Sequence, residues 1–171
     1  FFMAPAGGTF ENNGTITKRG GGTNFIDVPI VNNGTVDIQS DTLRFRTTLT
    51  NDTAGTIIGN GVLDLTHENA VFFNNGSVNP GASPGTLYII GDFPMSSDAS
   101  FSPELGGVLQ STDYDLLKVN GQAQLGGTLN ISLINAYVPT IEDQFEVMKF
   151  DSRSGEFASV VFDAYLVTVT Y

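Results

Sequence analysis

Three closely similar stretches of sequence decide the fold: Asn12-Asn13-Gly14-Thr15-Ile16, Asn32-Asn33-Gly34-Thr35-Val36 and Asn74-Asn75-Gly76-Ser77-Val78. A fourth stretch, Asn51-Asp52-Thr53-Ala54-Gly55-Thr56-Ile57, ends in the same way. The four glycines stand at 14, 34, 55 and 76, so the steps between them are 20, 21 and 21 residues. A repeat near 20 residues that joins turn formers to strand formers is typical of a solenoid, in which each repeat forms one coil.

The segments between these turns alternate apolar and polar residues. In Thr35-Val36-Asp37-Ile38 and in Leu43-Arg44-Phe45-Arg46, every second residue is apolar, which predicts half-buried strands. No stretch of ten or more residues combines helical periodicity with caps, and 20 glycines indicate frequent turns. We therefore predict an all-β solenoid of about 20–21 residues per coil and about eight coils. A sandwich of β-hairpins is the competing fold, because Asn-Gly also occurs in two-residue hairpin turns.

The repeated corner predicts a column of stacked asparagines. If successive coils lie ~4.8 Å apart, the same turn position recurs in every layer, and its amides can hydrogen-bond along the column. We expect the glycine that follows to supply the positive φ of the corner. The predicted corner and ladder residues are Asn13, Gly14, Asn33, Gly34, Asn51, Gly55, Asn75 and Gly76, with Asp52 as an alternative to Asn51.

The second half of the chain changes its motifs. Leu105-Gly106-Gly107 and Leu125-Gly126-Gly127 recur 20 residues apart, which predicts that the period continues. NPGASPGTL (79–87), YDLLKVNGQAQLGGTLNISL (114–133) and FEVMKFDSRSGEFASV (145–160) resemble the C-terminal section of bacterial secreted parallel β-helix surface proteins, the autotransporter-type passengers. The resemblance covers residues 9–165.

This resemblance implies a right-handed parallel β-helix that is secreted and located on the bacterial cell surface. It implies a stalk or adhesin segment and no catalytic residues, because the motif glycines form corners and the aliphatic residues fill the core. We divide the chain into an extension at residues 1–8 and one solenoid domain at 9–171. The domain comprises the Asn-Gly-Thr repeats (9–91) and the C-terminal coils (92–171).

Charge and composition limit the partners. The net charge of −11 argues against nucleic acid as a partner, because an acidic surface repels phosphate. No apolar run approaches the ~20 residues of a membrane span, so membrane insertion is not expected. The expected partners are further copies of the chain or other surface proteins. Glycans are an alternative, bound by a carbohydrate- or receptor-binding surface with exposed aromatics at Tyr88, Tyr114 and Tyr137.

Candidate catalytic and metal residues are few. The single histidine, His67, is expected in a solvent-facing turn, and no nucleophile-elbow, zinc-protease or phosphate-loop motif is present. A polysaccharide lyase or hydrolase of the β-helix type is a second alternative, on the expectation that the charged residues of coils two and three share one face: Asp37, Arg44, Arg46 and Asp64. We expect no cofactor. A weak surface Ca²⁺ site is an alternative, with the oxygen ligands Asp113, Asp115, Glu142 and Asp143.

Both ends of the chain predict exposed edges. The start is apolar at Phe1 and Phe2, and residues 164–171 form an uncharged, proline-free strand pattern. Such an edge lacks the lysine, proline or bulge that normally prevents pairing with another chain. The C-terminal strand either pairs with residues 157–162 to close the last coil or pairs with another subunit, giving a head-to-tail filament. The expected assembly residues are Phe1, Phe2, Leu166, Val167, Val169 and Tyr171.

Overall fold

The computed structural model describes residues 7–162 and 167–171. These residues form nineteen β-strands and no helix. The strands are β1 (Phe10–Asn12), β2 (Thr15–Lys18), β3 (Thr23–Ile26), β4 (Ile30–Asn32), β5 (Thr35–Ile38), β6 (Thr42–Phe45), β7 (Thr48–Asn51), β8 (Thr56–Gly59), β9 (Val62–Asp64), β10 (Val71–Asn74), β11 (Ser77–Pro80), β12 (Thr86–Ile90), β13 (Phe93–Pro94), β14 (Ser100–Phe101), β15 (Glu104–Leu105), β16 (Leu116–Leu125), β17 (Thr128–Leu133), β18 (Met148–Gly155) and β19 (Ser159–Phe162).

The strands stack into three parallel sheets. The first sheet has the order β1-β4-β7-β10, the second β15-β17-β14-β11-β8-β5-β2 with β19 beside β17, and the third β13-β16-β12-β9-β6-β3 with β18 beside β16. Consecutive strands of the first coils enter different sheets, and each pairs in parallel with its equivalent one coil later. The chain is a parallel β-helix solenoid, as predicted. The hairpin sandwich is excluded as an account of these sheets, because hairpin partners are antiparallel.

The coil length is constant only in the first half. Along the second sheet, Thr15, Thr35, Thr56 and Ser77 are Cα partners, so these coils hold 20, 21 and 21 residues. The next partners are Ser100, Thr128 and Ser159, so the later coils hold 23, 28 and 31. The prediction of an unchanged period was wrong there, and the described residues form seven layers in this sheet instead of about eight.

The lengthening comes from connections between strands. The segments 106–115 and 134–147 contain no named strand, and they add residues outside the stacked layers. Loop closure cost rises slowly with length, so such insertions leave the layers intact. Leu105 consequently pairs with Leu133 and Leu125 with Gly155, so the two Leu-Gly-Gly motifs do not stack on each other.

Inward-facing side chains of successive layers form the core. One column of Cα partners is fully buried and runs through five layers: Val36, Ile57, Val78, Phe101 and Leu129. The residues on either side of each column member face outward, as the period of two requires. Each buried side chain of this size contributes ~1.5–3 kcal/mol to the hydrophobic stabilisation.

The outer face of the second sheet carries a column of hydroxyl groups. Each strand of the seven layers places a threonine or serine at the same register position: Thr15, Thr35, Thr56, Ser77, Ser100, Thr128 and Ser159. In β2, β5, β8 and β11 this residue is the first of the strand. A threonine or serine thus begins the strand that follows each of these corners.

The terminal layers differ from the predicted bare edges. In the terminal strand β2, Lys18 occupies an inward position, is 4% exposed, and donates from Nζ to the Gly20 carbonyl at 2.6 Å. At the other end, residues 167–171 lie in no strand, so the predicted C-terminal strand was wrong for them. Val169 instead packs against the core, and the Tyr171 ring lies 6.3 Å from that of Phe157. Phe1, Phe2 and Leu166 lie outside the described residues.

Candidate functional site

Four buried asparagines form a hydrogen-bonded ladder through the first four layers. Asn12 Nδ2 donates to Asn32 Oδ1 at 2.6 Å, and Asn32 Nδ2 donates to Asn51 Oδ1 at 2.8 Å. Asn51 Nδ2 continues the ladder to Asn74 Oδ1 at 2.9 Å. All four side chains are at most 5% exposed. The ladder therefore satisfies polar groups that burial would otherwise leave unpaired, with one exception at its end.

The same amides also connect two sheets. Asn12 Nδ2 donates to the carbonyl of Thr35 at 3.0 Å, and Asn32 Nδ2 donates to that of Thr56 at 3.2 Å. Asn51 Nδ2 contacts the carbonyl of Ser77 at 3.2 Å in the same way. Each amide thus joins the end of a first-sheet strand to the start of a second-sheet strand one coil later. The ladder therefore holds the corner between the first and second sheets in place, as well as the spacing between layers.

The ladder was predicted one residue too late in three of the four repeats. Strand alternation places Ile30 and Asn32 inward and Val31 outward, so the first asparagine of each pair is buried. Asn33 and Asn13 lie outside the core and share a longer exposed contact of 3.4 Å, while Asn75 is half-buried. Asn51 belongs to the ladder as predicted, and Asp52 does not.

The corner glycines are required for a different reason from the predicted one. None of Gly14, Gly34, Gly55 and Gly76 has a positive φ. A Cβ added at Gly34 would overlap the Gly14 carbonyl oxygen, and one at Gly76 would overlap the Gly55 carbonyl oxygen. The close approach of successive layers excludes a side chain at these corners. Gly14, in the first layer, has no such neighbour within 4 Å among the residues that the structure describes.

The ladder ends at Asn74. The Ser96 amide donates to the Asn74 carbonyl, just as the Asn33 amide donates to that of Asn12. Met95 therefore occupies the ladder position of the fifth layer, and a thioether is only a weak acceptor. Asn74 Nδ2 is accordingly the one buried side-chain N or O atom of the described residues without a hydrogen-bond partner.

Two of the candidate catalytic residues form an ion pair. Arg44 Nε donates to Asp64 Oδ2 at 2.7 Å, and Thr66 donates its amide and hydroxyl to Asp64 Oδ1. Burial would raise the pKa of Asp64, but these hydrogen bonds outweigh it and hold the pKa below its ordinary value. The carboxylate is thus occupied by contacts within and between layers.

The other candidates lie elsewhere. Asp37 lies on the second sheet and accepts from Gln39, so it does not share a face with Asp64. Arg46 lies 3.4 Å from Asp27. His67 lies in the turn between β9 and β10, as expected, where its Nδ1 accepts from the Asn69 amide.

The aromatic candidates for glycan binding are only partly exposed. Tyr88 is exposed on β12, with Lys118 Nζ 5.1 Å from its ring centroid. Tyr114 is buried against Phe145, so the prediction of an exposed ring was wrong there. Tyr137 is half-buried and donates to Asp143 at 2.5 Å. These three rings do not form one platform.

The candidate calcium ligands are dispersed. Asp143 accepts from Tyr137 and from the Thr140 amide, and Asp113 accepts from the Leu109 amide. Among the residues that the structure describes, no group of three or more acidic, histidine or cysteine side chains is placed to hold a metal ion.

A cavity of ~280 Å³ with a mixed polar and apolar lining lies over the outer face of the second sheet, and sequence reasoning missed it. Residues of the segment around 80–85 and Glu104 of strand β15 line it. Its polar lining comprises Asn79, Ser83, Ser102, Glu104, Asp115 and Ser132. Because these residues come from separate coils, the only signal in the sequence was the turn cluster NPGASPG at 79–85.

Asp115 is the buried acid of this cavity. Its side chain accepts from the Gly85 amide at 2.8 Å and from the Glu104 amide at 2.9 Å, and the residue is 1% exposed. Desolvation on burial raises the pKa of Asp115 to about 6, against the lowering effect of the two amides.

This raised pKa predicts a pH dependence of stability. Between about pH 4 and 6 the native state binds a proton at Asp115 that the unfolded chain releases, so stability decreases as the pH rises through this window. We expect Asp115 to lower the free energy of unfolding by about 1–3 kcal/mol from pH 4 to pH 7. Urea titrations at several pH values should show this slope reduced in Asp115→Asn. Exposed Asp151→Asn controls for loss of charge, and an equal change of slope in both variants would contradict the prediction.

Within the described ranges, no helix has the length and apolar composition of a membrane span. No protein-family model matches the sequence, and comparisons with curated proteins and with solved structures also find no match.

Proposed function

We propose that this chain is a structural, non-enzymatic rod segment of an extracellular stalk or adhesin on a bacterial surface. The observation that carries the proposal is the buried asparagine ladder within stacked parallel sheets. Seven layers at ~4.8 Å give a rod about 30 Å long.

The most constrained polar contacts support the same function. The ladder asparagines, the close-approach glycines and the Arg44–Asp64 pair all join one layer to the next. Since each coil contacts only its neighbours, such contacts set the stiffness of the stack. The resemblance of residues 9–165 to autotransporter-type passengers is the further support for the surface location.

The end layers favour a rod that does not assemble by itself. An inward-pointing charge is one of the features by which natural edge strands avoid pairing, and Lys18 provides one in β2. At the opposite end, Arg153 lies 4.3 Å from the centroid of the Tyr171 ring, and the Tyr171 hydroxyl accepts from the Phe157 amide. These contacts place side chains of the same chain across the last coil. The head-to-tail filament is the second candidate.

Sedimentation velocity over a wide concentration range, with electron microscopy, separates the two candidates. We expect the wild-type chain to remain monomeric, and Lys18→Ile to self-associate because it removes the buried charge from the terminal strand. Lys118→Ile, on an outward-facing and half-buried position of β16, is the matched control and should remain monomeric.

Concentration-dependent fibres of the wild type would contradict the monomeric rod. If Val167→Lys combined with Val169→Lys then abolished the fibres, the filament would replace the rod segment as the proposed function. The surface location is tested separately, by labelling intact producing cells with an antibody against the chain. Labelling only after lysis would overturn that part of the proposal.

A further inference from the structure

The cavity over the second sheet has the chemistry of a small binding site. Its volume of ~280 Å³ lies just below the ~300 Å³ at which ligand pockets begin, so it suits a ligand of about one sugar ring. The cavity lies outside the asparagine ladder and the core, and the rod function does not use it.

Backbone hydrogen bonds hold Asp115 at the floor of the cavity. The two oxygens of Asp115 are held by backbone amides from two different segments, at Gly85 and at Glu104. Gly81 approaches so closely that an added Cβ would overlap Asp115 Oδ1. Pre-positioned groups of this kind reduce the entropy lost on binding.

The rim of the cavity is rich in hydroxyl groups and carries negative charge. The Ser83 hydroxyl donates to Glu104 Oε2, while Ser102 and Ser132 add donors and acceptors. No lysine, arginine or histidine lines the cavity among the described residues. An anionic ligand would therefore meet two carboxyl groups without a compensating cation, whereas an amino group would be attracted.

Apolar residues complete the lining. Ile58, Pro80 and Ala82 lie beside the polar groups. A sugar ring has hydroxyl groups that need partners and C–H groups that need apolar contact, and this mixed lining offers both.

We propose that this cavity binds a single sugar residue, preferring an amino sugar to a neutral sugar and rejecting a uronic acid. Glu104 is the acceptor for ligand hydroxyl or ammonium groups, and Ser102 and Ser132 are the further hydrogen-bond partners. Asp115 positions the two segments that carry Gly85 and Glu104. This activity is independent of the proposed rod function, since a rod without a ligand remains a rod.

The test is titration with glucosamine, glucose and glucuronate at neutral pH, followed by calorimetry or ligand-observed NMR. We expect dissociation constants in the millimolar range for glucosamine and weaker binding of glucose. Glucuronate should not bind. Glu104→Gln should remove the preference for glucosamine, and Ser102→Val should weaken both ligands at least about tenfold.

Ser100→Val is the matched control, because Ser100 is a half-buried serine two residues before Ser102 on the same outward face but does not line the cavity. Thermal unfolding of each variant checks that it is folded. Absence of binding by all three sugars to the wild type would overturn the proposal, as would glucuronate binding as tightly as glucosamine. Equal binding by folded Ser102→Val and Ser100→Val would also overturn it.

Discussion

Replacing Gly55 with alanine is expected to destabilise the protein by about 3 kcal/mol or more. A Cβ at this position would overlap the carbonyl oxygen of Asn32 and would lie 2.5 Å from Asn51 Oδ1 and 2.9 Å from Asn32 Nδ2. Backbone and buried amides cannot move aside without breaking the ladder. Chemical denaturation by urea, monitored by circular dichroism, measures the change.

Gly14→Ala is the matched control for this substitution. Gly14 stands at the same corner of the first layer, but apart from its two chain neighbours no atom of residues 7–162 and 167–171 lies within 4 Å of its added Cβ. Its substitution should change stability by less than about 1 kcal/mol. Equal destabilisation by the two variants would show that the corner needs glycine for its backbone conformation and not for close approach between layers.

The second large effect is expected from Asn51→Ala, at about 2–4 kcal/mol. Asn51 accepts from Asn32 and donates to Asn74 and to the Ser77 carbonyl, so its loss leaves buried groups on both sides without a partner. Asn74→Ala should cost less, because Asn74 Nδ2 has no partner to lose. Urea denaturation gives the order of the effects.

Asn33→Ala supplies the control for the ladder position. Asn33 precedes Gly34 in the repeated motif, but its side-chain amide makes only an exposed contact, with Asn13 at 3.4 Å. We expect a change within about 0.5 kcal/mol. A larger loss for Asn33→Ala than for Asn51→Ala would place the stabilising column on the second asparagine of each pair.

The sequence predicted the architecture because the repeat is visible in residue types. Glycine, hydroxyl and β-branched residues recur at the period of the coil, and Thr15, Thr35 and Thr56 do align in the structure. The predicted ladder was wrong by one residue because both asparagines of a pair are common turn residues. Only the alternation of the preceding strand distinguishes them: Asn32 is two residues after the inward Ile30, so it also points inward.

For the later coils, the sequence predicted further strands and coils but not which residues pair. Leu105 and Leu125 share a motif, but registers are set by hydrogen bonding of strands that lie apart in sequence, and the structure pairs these leucines with Leu133 and Gly155. The cavity was out of reach for the same reason. Glu104 and Asp115 are joined by a hydrogen bond from the Glu104 backbone amide to the Asp115 carboxylate, and no pattern of side chains in the sequence predicts a backbone contact.

In most repeat proteins the number of residues between two positions gives the number of layers between them. The unequal coils of this solenoid break that relation. From Thr15 to Ser77, 62 residues advance the chain by three layers, and from Ser77 to Ser159, 82 residues also advance it by three. Axial position is therefore counted in strands and not in residues. Insertions or deletions in the segments 106–115 and 134–147 can therefore change the loops on the side of the solenoid. They leave the axial position of every outward hydroxyl unchanged.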